Sequence, residues 1–285
     1  MMSHIAQILR HLIALPTDAI WRTLERRILW PDMGFLLDNM PPEALDSVGG
    51  GYTGWIYQQG FFGALIKRYA PRTSLRIFDF GCGYGKIAPI STFFTYPKGE
   101  YVGLDIRKKC IDFCRDFYSH LPRVRFLLSK NFNPTYSQQS LRIGTQKEDW
   151  AVDRQTFHIV ISISVFTHLQ ETDAFTYMQR IHRVLAPQGV AILTFHIVDT
   201  PRKKPVFTSK DKPTVNAIFD FNTPLPPTYD WFTSNPKRPE DATAVNMEGL
   251  RRLTRGQFRI LSLIRGSTTG YHSPFPQDVL ILRKK

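Results

Sequence analysis

The stretch Leu75-Arg76-Ile77-Phe78-Asp79-Phe80-Gly81-Cys82-Gly83-Tyr84-Gly85-Lys86 decides the fold. Leu75, Ile77, Phe78 and Phe80 form a short apolar run that can be buried on both faces, as strands of a parallel sheet require. The chain then turns on Gly81, Gly83 and Gly85 and is expected to enter a helix at Lys86. Glycines at such a junction let the backbone approach a ligand closely and take φ > 0 at little cost. The helix that follows presents unpaired N–H donors in its first turn. Nucleotide-type cofactors use turns of this kind. The dinucleotide fingerprint G-x-G-x-x-G needs a third glycine at position 86, which is Lys, so that pattern fails. What remains is Asp79-x-Gly81-x-Gly83-x-Gly85.

That spacing resembles the first motif of the class I S-adenosylmethionine-dependent methyltransferases, which carry an acid two residues before G-x-G-x-G. The resemblance implies an α/β fold: a doubly wound, mostly parallel seven-stranded sheet of the Rossmann-like methyltransferase type. It implies S-adenosylmethionine as cofactor, with Asp79, Gly81, Cys82, Gly83 and Gly85 around it. A second strand, Glu100–Ile106, follows the first helix and ends in Asp105, some twenty residues beyond the glycines. A carboxylate at that strand end can accept both ribose hydroxyl protons, with Ile106 beside it. After a helix near Lys108–His120, a third strand at Val124–Leu128 leads to Ser129-Lys130-Asn131. Family members often place an acid there against the adenine; here Ser129 or Asn131 would take that part.

The fourth strand, Phe157–Ile163, continues as Ser164-Val165-Phe166-Thr167-His168-Leu169, and a helix is expected over Thr172–Leu185. The turn Ala186-Pro187-Gln188-Gly189 precedes a fifth strand, Val190–His196. This run is similar to methyltransferases acting on small molecules. Its Ser-Val-Phe-Thr-His core looks like the sugar and surface-polysaccharide subgroup, from which His158 departs, since an Asp usually follows the Phe there. Ser164 joins the expected cofactor contacts. Asn133-Pro134-Thr135-Tyr136 invites comparison with the Asn-Pro-Pro-Tyr signature of amino-group methyltransferases, but it follows the third strand rather than the fourth.

Outside this run, residues 3–15 and a second segment carrying Ile20, Trp21, Leu24 and Ile28 read as amphipathic helices. They are either an accessory pair packed on the domain or a basic pair resting on a membrane face. Residues 1–50 are therefore taken as an extension and connector, and 51–285 as the methyltransferase domain. A helix near Thr53–Tyr69 brings Tyr52 and Trp55 forward as candidates to border the pocket, with aromatic packing as the alternative. Residues 197–245, rich in proline and aromatics without sustained periodicity, read as a lid or substrate-binding insertion. Asn246 can cap a helix over Met247–Arg255, and Phe258–Arg265 and Val279–Arg283 supply two more strands. In the family the last strand inserts antiparallel beside the sixth.

Composition sets the outer limits. At 285 residues and 42% hydrophobic, the chain can build one substantial domain with additions. No stretch has the eighteen or so apolar residues of a spanning helix, and Arg10 and His11 interrupt any signal-peptide core. Cys82, Cys110 and Cys114 form no metal pattern and fit a reducing, cytoplasmic compartment, with the inner membrane surface as a further location for the N-terminal helices. The net charge of +13 favours an anionic partner or simply reflects a basic surface; residues 251–285 carry eight basic side chains against Asp278 alone.

Methyl transfer to a hydroxyl needs a base, and His is the usual choice near neutral pH. His168, just past the fourth strand, stands at the carboxyl edge where open α/β sheets bind ligands. His196 is second choice, and His272 and Tyr52 are candidates to line the acceptor pocket. The leading expectation is methyl transfer to a small-molecule or carbohydrate acceptor, on oxygen. The alternatives are a nucleic-acid-directed enzyme or binder, and a non-catalytic membrane or partner adaptor.

Overall fold

The computed structural model describes residues 51–121, 123–129, 150, 152, 156–198, 219–269, 271, 273 and 275–285. The expected N-terminal helices, the connector up to residue 50, Asn131, Asn133–Tyr136 and His272 lie outside the described residues. The chain divides into two units, Met1–Ile56 and Tyr57–Lys285. Helix α1 (Gly51–Tyr69) starts at the end of the first unit, two residues before its expected start.

Strands β1 (Arg76–Phe80), β2 (Glu100–Asp105), β3 (Val124–Leu128), β4 (Phe157–Ser162) and β5 (Leu185–Phe195) alternate with helices α2 (Ala88–Thr95), α3 (Lys108–Phe117) and α4 (Glu171–Val184). The described insertion contributes β6 (Ile197–Val198), β7 (Thr223–Leu225), β8 (Trp231–Thr233) and β9 (Thr243–Asn246). Helix α5 (Met247–Thr254), β10 (Phe258–Ile264) and β11 (Asp278–Lys284) close the domain. The main sheet has the order β3-β2-β1-β4-β5-β11-β10. All its pairs are parallel except those made by β11, which runs antiparallel between β5 and β10. The seven-stranded, doubly wound sheet expected from the glycine motif is thus the observed architecture, including the inserted last strand.

The sheet is buried because its central strands are apolar on both sides. Ile77, Phe78, Val102, Ile159, Val160, Ala191 and Leu193 are all inaccessible to solvent. Phe78 and Phe80 pack on Trp150, and Phe78 also stacks on Phe157 at 5.2 Å between ring centroids. Truncating a ring held this way to Ala typically costs roughly 3–5 kcal/mol. Helix α4 lays Ala174, Met178 and Ile181 onto this core. Its acids, Glu171 and Asp173, fall in the first turn and its bases, His182 and Arg183, in the last, which suits the helix dipole. Asn246 caps α5 as expected, accepting from the Gly249 N–H at 2.8 Å.

Three local expectations are corrected. Helix α2 begins at Ala88 rather than Lys86, because the chain is still turning through Ile87. Residues 186–189 do not separate α4 from β5. They lie inside β5 as a register shift, with Leu185 opposite Phe157 and Val190 opposite Ile159, and Gln188 at φ 61° makes the bend. The described part of the insertion is not irregular: β6, β9, β8 and β7 form a second sheet over a small core of Phe221, Phe232, Ala242 and Ala244. Its strands are two to four residues long, too short for alternation to register as a period.

Candidate active site

The glycine turn wraps over the end of β2. The Gly81 and Cys82 N–H groups both donate to the Leu104 carbonyl, at 2.7 and 3.1 Å. The Gly83 N–H donates to Oδ2 of Asp105 at 2.7 Å. Two positions admit no side chain. At Gly81, φ is +79° and a Cβ would lie 2.2 Å from Val165 Cγ2; at Gly85, φ is +72° and a Cβ would lie 2.6 Å from the Tyr118 ring. The turn can therefore press directly against its neighbours and against a ligand. The neighbouring thiols of Cys82 and Cys114 both point at the Gly83 carbonyl, at 3.7 and 3.4 Å. Burial pushes both thiols up, so they act as packing groups rather than nucleophiles.

Asp105 is 6% exposed at the end of β2. Its Oδ1 accepts from the Arg107 N–H at 2.9 Å and from Arg107 Nε at 3.2 Å. A carboxylate offers about four lone-pair positions. With three donors in place, Asp105 keeps acceptor capacity at the sheet edge, which fits a ribose hydroxyl. Ile106 follows it, half-buried, and the Ser129 N–H donates to the Asp105 carbonyl at 2.8 Å, bringing the end of β3 alongside. Asp79 is buried on β1, accepts from Tyr101 Oη at 2.6 Å, and has its carboxyl pushed up to about 7 by desolvation. The structure thus brings Asp79, Gly81, Cys82, Gly83, Gly85, Asp105, Ile106 and Ser129 together at the carboxyl ends of β1, β2 and β3.

The other half of the edge is formed by β4 and β5. Ser164 turns the chain at φ 57°, donates its N–H to Thr194 Oγ1 at 2.7 Å, and exchanges side-chain hydrogen bonds with Gln277. His168 ends a 3-10 turn (Phe166–His168) that Thr243 ties to the second sheet through the Phe166 carbonyl, 3.2 Å away. Its Nδ1 is 2.9 Å from the Glu240 carbonyl oxygen. A carbonyl only accepts, so Nδ1 carries the proton and the basic lone pair of the neutral ring is on Nε2. Desolvation lowers the His168 pKa below the usual imidazole value.

His196 follows β5, is 4% exposed, and packs against the rings of Phe219 and Phe221, 5.6 and 5.2 Å from their centroids. Burial, aided by the nearby His168, pushes its pKa down to about 3, so the ring is neutral. Its Nδ1 has no hydrogen-bond partner among the described residues. Trp55 is buried in the early turns of α1, and of Tyr52 only its place in the first turn of that helix is described.

Several residues at this edge were not singled out in the sequence. Arg107, Thr194 and Gln277 hold Asp105 and Ser164, and nothing near them in the chain announces it. Lys86 and Gln58, which meet beside Asp79, were visible only in that Lys86 breaks the dinucleotide pattern. Among the described residues no group of His, Cys, Asp and Glu is placed to hold a metal ion.

Residues 77–189 match the family described as a methyltransferase domain. A crystal structure of the PH0226 protein from Pyrococcus horikoshii OT3 superposes over 86% of this chain and 97% of its own, with a TM-score of 0.52 and 17% identity. A SAM-dependent methyltransferase from Aquifex aeolicus (11% identity, TM-score 0.48) covers 86% of this chain and 98% of its own. Magnesium protoporphyrin IX methyltransferase from Synechocystis PCC 6803, solved with bound SAM, has 12% identity and a TM-score of 0.48 over 95% and 99%. The likeness to the Pyrococcus protein is one of fold. Together with the sheet order and the glycine motif, the match over residues 77–189 supports methyl transfer of the class I type. Its cofactor is S-adenosylmethionine, and the acceptor capacity left on Asp105 beside the glycine turn fits that group.

Proposed function

We propose that the protein transfers a methyl group from S-adenosylmethionine to a hydroxyl of a small-molecule or carbohydrate acceptor, with His168 as general base. The observation that carries this reading is the hydrogen bond from His168 Nδ1 to the Glu240 carbonyl, which fixes the tautomer with Nε2 basic. The lowered pKa keeps the ring neutral, hence able to take a proton, at neutral pH. S-Adenosylmethionine supplies a methyl group activated on a positively charged sulfur. The chain's part is to hold the acceptor oxygen in line with that methyl group, about 3 Å away, and to remove its proton. A positioned base of this kind contributes on the order of 10²–10⁴-fold.

The likeness of Ser164–His168 to the sugar and surface-polysaccharide subgroup supports a carbohydrate acceptor. The half-buried ring of Phe219 beside His196 offers an apolar face on which a sugar can stack. A net charge of +13 favours an acceptor carrying an anionic group.

The test is turnover of S-adenosylmethionine by purified protein against a panel of neutral and acidic sugars, read as a methyl-sized mass increase. His168→Gln should lower turnover of the accepted substrate at least 100-fold while leaving S-adenosylhomocysteine affinity unchanged. Turnover that survives the substitution would remove His168 from the mechanism.

A further inference from the structure

The main sheet sorts charge between its two edges. Asp79, Asp105, Glu171, Asp173 and Asp278 stand toward the carboxyl ends of the parallel strands, on the side of the glycine turn. The amino ends carry the opposite sign. Strand β10 starts and β11 ends at this second edge, and the helices return the chain to it. The last turns of α1, α3, α4 and α5 bring Lys67, Arg68, Arg115, Arg183 and Arg251 there. Basic side chains in a last turn complement the helix dipole, which is reason enough for these five. The dipole does not account for the rest. Arg72, Lys98, Arg123, Arg125, Arg259 and Lys285 lie outside the helices, at the same edge, and all are exposed.

Few acids answer them. Among the described residues this edge holds Glu100, taken by Arg76 and Arg125 at 2.8 and 2.9 Å, and Asp116, next to Arg115. Elsewhere basic groups face one another. In the pairing of β10 with β11, Arg259 stands directly opposite Arg283, a like-charge pair that opposes sheet formation. Arg283 Nε is buried and has no hydrogen-bond partner among the described residues. An external anionic surface relieves this repulsion. A partner at this edge does not touch the chemistry, because β1 to β5 run parallel and carry the glycine turn, His168 and His196 at their far ends. That fits an anchor rather than a nucleic-acid substrate. Two exposed aromatics mark the kind of anchor: Phe93 in the last turn of α2, 56% exposed, and Tyr96 just past it, 75% exposed, with Lys98 two residues on. A lipid headgroup layer accommodates this combination, with rings at its boundary and ammonium groups on its phosphates.

We propose that the amino edge of the main sheet is a docking face for a bilayer rich in anionic lipid, holding the chain with its glycine turn directed away from the membrane. Neighbouring strands lie about 4.8 Å apart, so seven of them present a front about 30 Å wide. Long Lys and Arg side chains meet lipid phosphates at many points of such a front and need no preformed pocket. S-Adenosylmethionine and the acceptor then reach the carboxyl edge from solution.

The experiment is co-sedimentation of the full chain with phosphatidylcholine vesicles, either pure or containing about a third phosphatidylserine. Wild-type protein should bind the mixed vesicles, bind the pure ones on the order of 100-fold more weakly, and come off the mixed ones as salt approaches about 1 M, where the Debye length is about 3 Å. One basic side chain at an anionic surface contributes roughly fivefold, so Lys98→Glu/Arg259→Glu/Lys285→Glu should weaken binding at least on the order of 100-fold while keeping the wild-type far-UV spectrum. If that variant fails to fold, the same three positions changed to Gln should weaken binding on the order of 100-fold. A folded variant that binds the mixed vesicles as wild type does overturns the proposal, since the attraction then comes from elsewhere in the chain. Wild-type protein that does not prefer the anionic vesicles overturns it as well. If that protein instead retards a nucleic-acid duplex in a gel, and the triple variant does not, the edge serves nucleic acid and the lipid assignment is wrong.

Discussion

Asp105→Asn removes one charge without changing the shape of the side chain, and the geometry around it sets the cost. Oδ2 accepts from the Gly83 N–H at 2.7 Å and Oδ1 from the Arg107 N–H at 2.9 Å. An amide has one oxygen and one NH₂, so whichever way it turns, a donor faces a backbone donor on one side. Leaving one such N–H unsatisfied costs about 1–3 kcal/mol. The lost ion pair with Arg107 adds no more than about 1 kcal/mol, because that side chain is a third exposed to solvent. The glycine turn should therefore lose roughly 1–4 kcal/mol, seen in urea unfolding. Affinity for S-adenosylhomocysteine should fall by on the order of 10- to 100-fold, since a ribose hydroxyl loses a charged acceptor at the same time. Calorimetry at fixed salt reads the second effect and far-UV denaturation the first. An Asp105→Asn protein that binds the ligand as tightly as wild type would refute the assignment of this edge to the ribose.

Three further outcomes follow from the same geometry. Gly81→Ala forces a Cβ to within 2.2 Å of Val165 Cγ2 at φ +79°; it should cost about 2–4 kcal/mol by thermal unfolding, and adding Val165→Ala should restore only the steric part. Because burial lowers the pKa of His168, the acid limb of the kcat/KM profile, which reports the free enzyme, should have its midpoint below the usual imidazole value of about 6.5, and a midpoint above it would contradict His168 as the base. His196 takes up a proton near pH 6.5 when unfolded but only near 3 when folded. The unfolded state thus binds more protons in that window, and stability contributed by the neutral ring is lost as pH falls. His196→Leu should flatten the stability curve by up to about 1.4 kcal/mol per pH unit between pH 6 and pH 4, and an unchanged slope would place the proton elsewhere.

Much of this architecture could be read from local pattern. The Leu75–Phe80 run is buried on both faces because its neighbours β2 and β4 are equally apolar. Asp105 stands where a strand-ending acid twenty residues past the glycines should stand. Asn246 caps its helix because an Asx side chain reaches the N–H three residues on. The misplaced start of α2 shows the limit: three glycines and a lysine permit a helix at position 86, but packing of the turn against Val165 and Tyr118 keeps the chain irregular until Ala88. The same limit applies to the second sheet, whose strands pair across gaps that hold no repeating signal, such as Ile197 with Val245.

The sequence by itself determined the order of strands and helices that build the main sheet, the glycine turn and the acid opposite it, since each depends on backbone preferences and periodicity within a dozen residues. Only the tertiary structure decided which side chains share a site. His168 receives its tautomer from Glu240, 72 residues away, and Lys86 its direction from Gln58, 28 residues earlier. Such pairs form because the sheet closes and buries them, and burial is what lowers the pKa of both the imidazole and the lysine. That information resides in the packing, where desolvation and distance are set together.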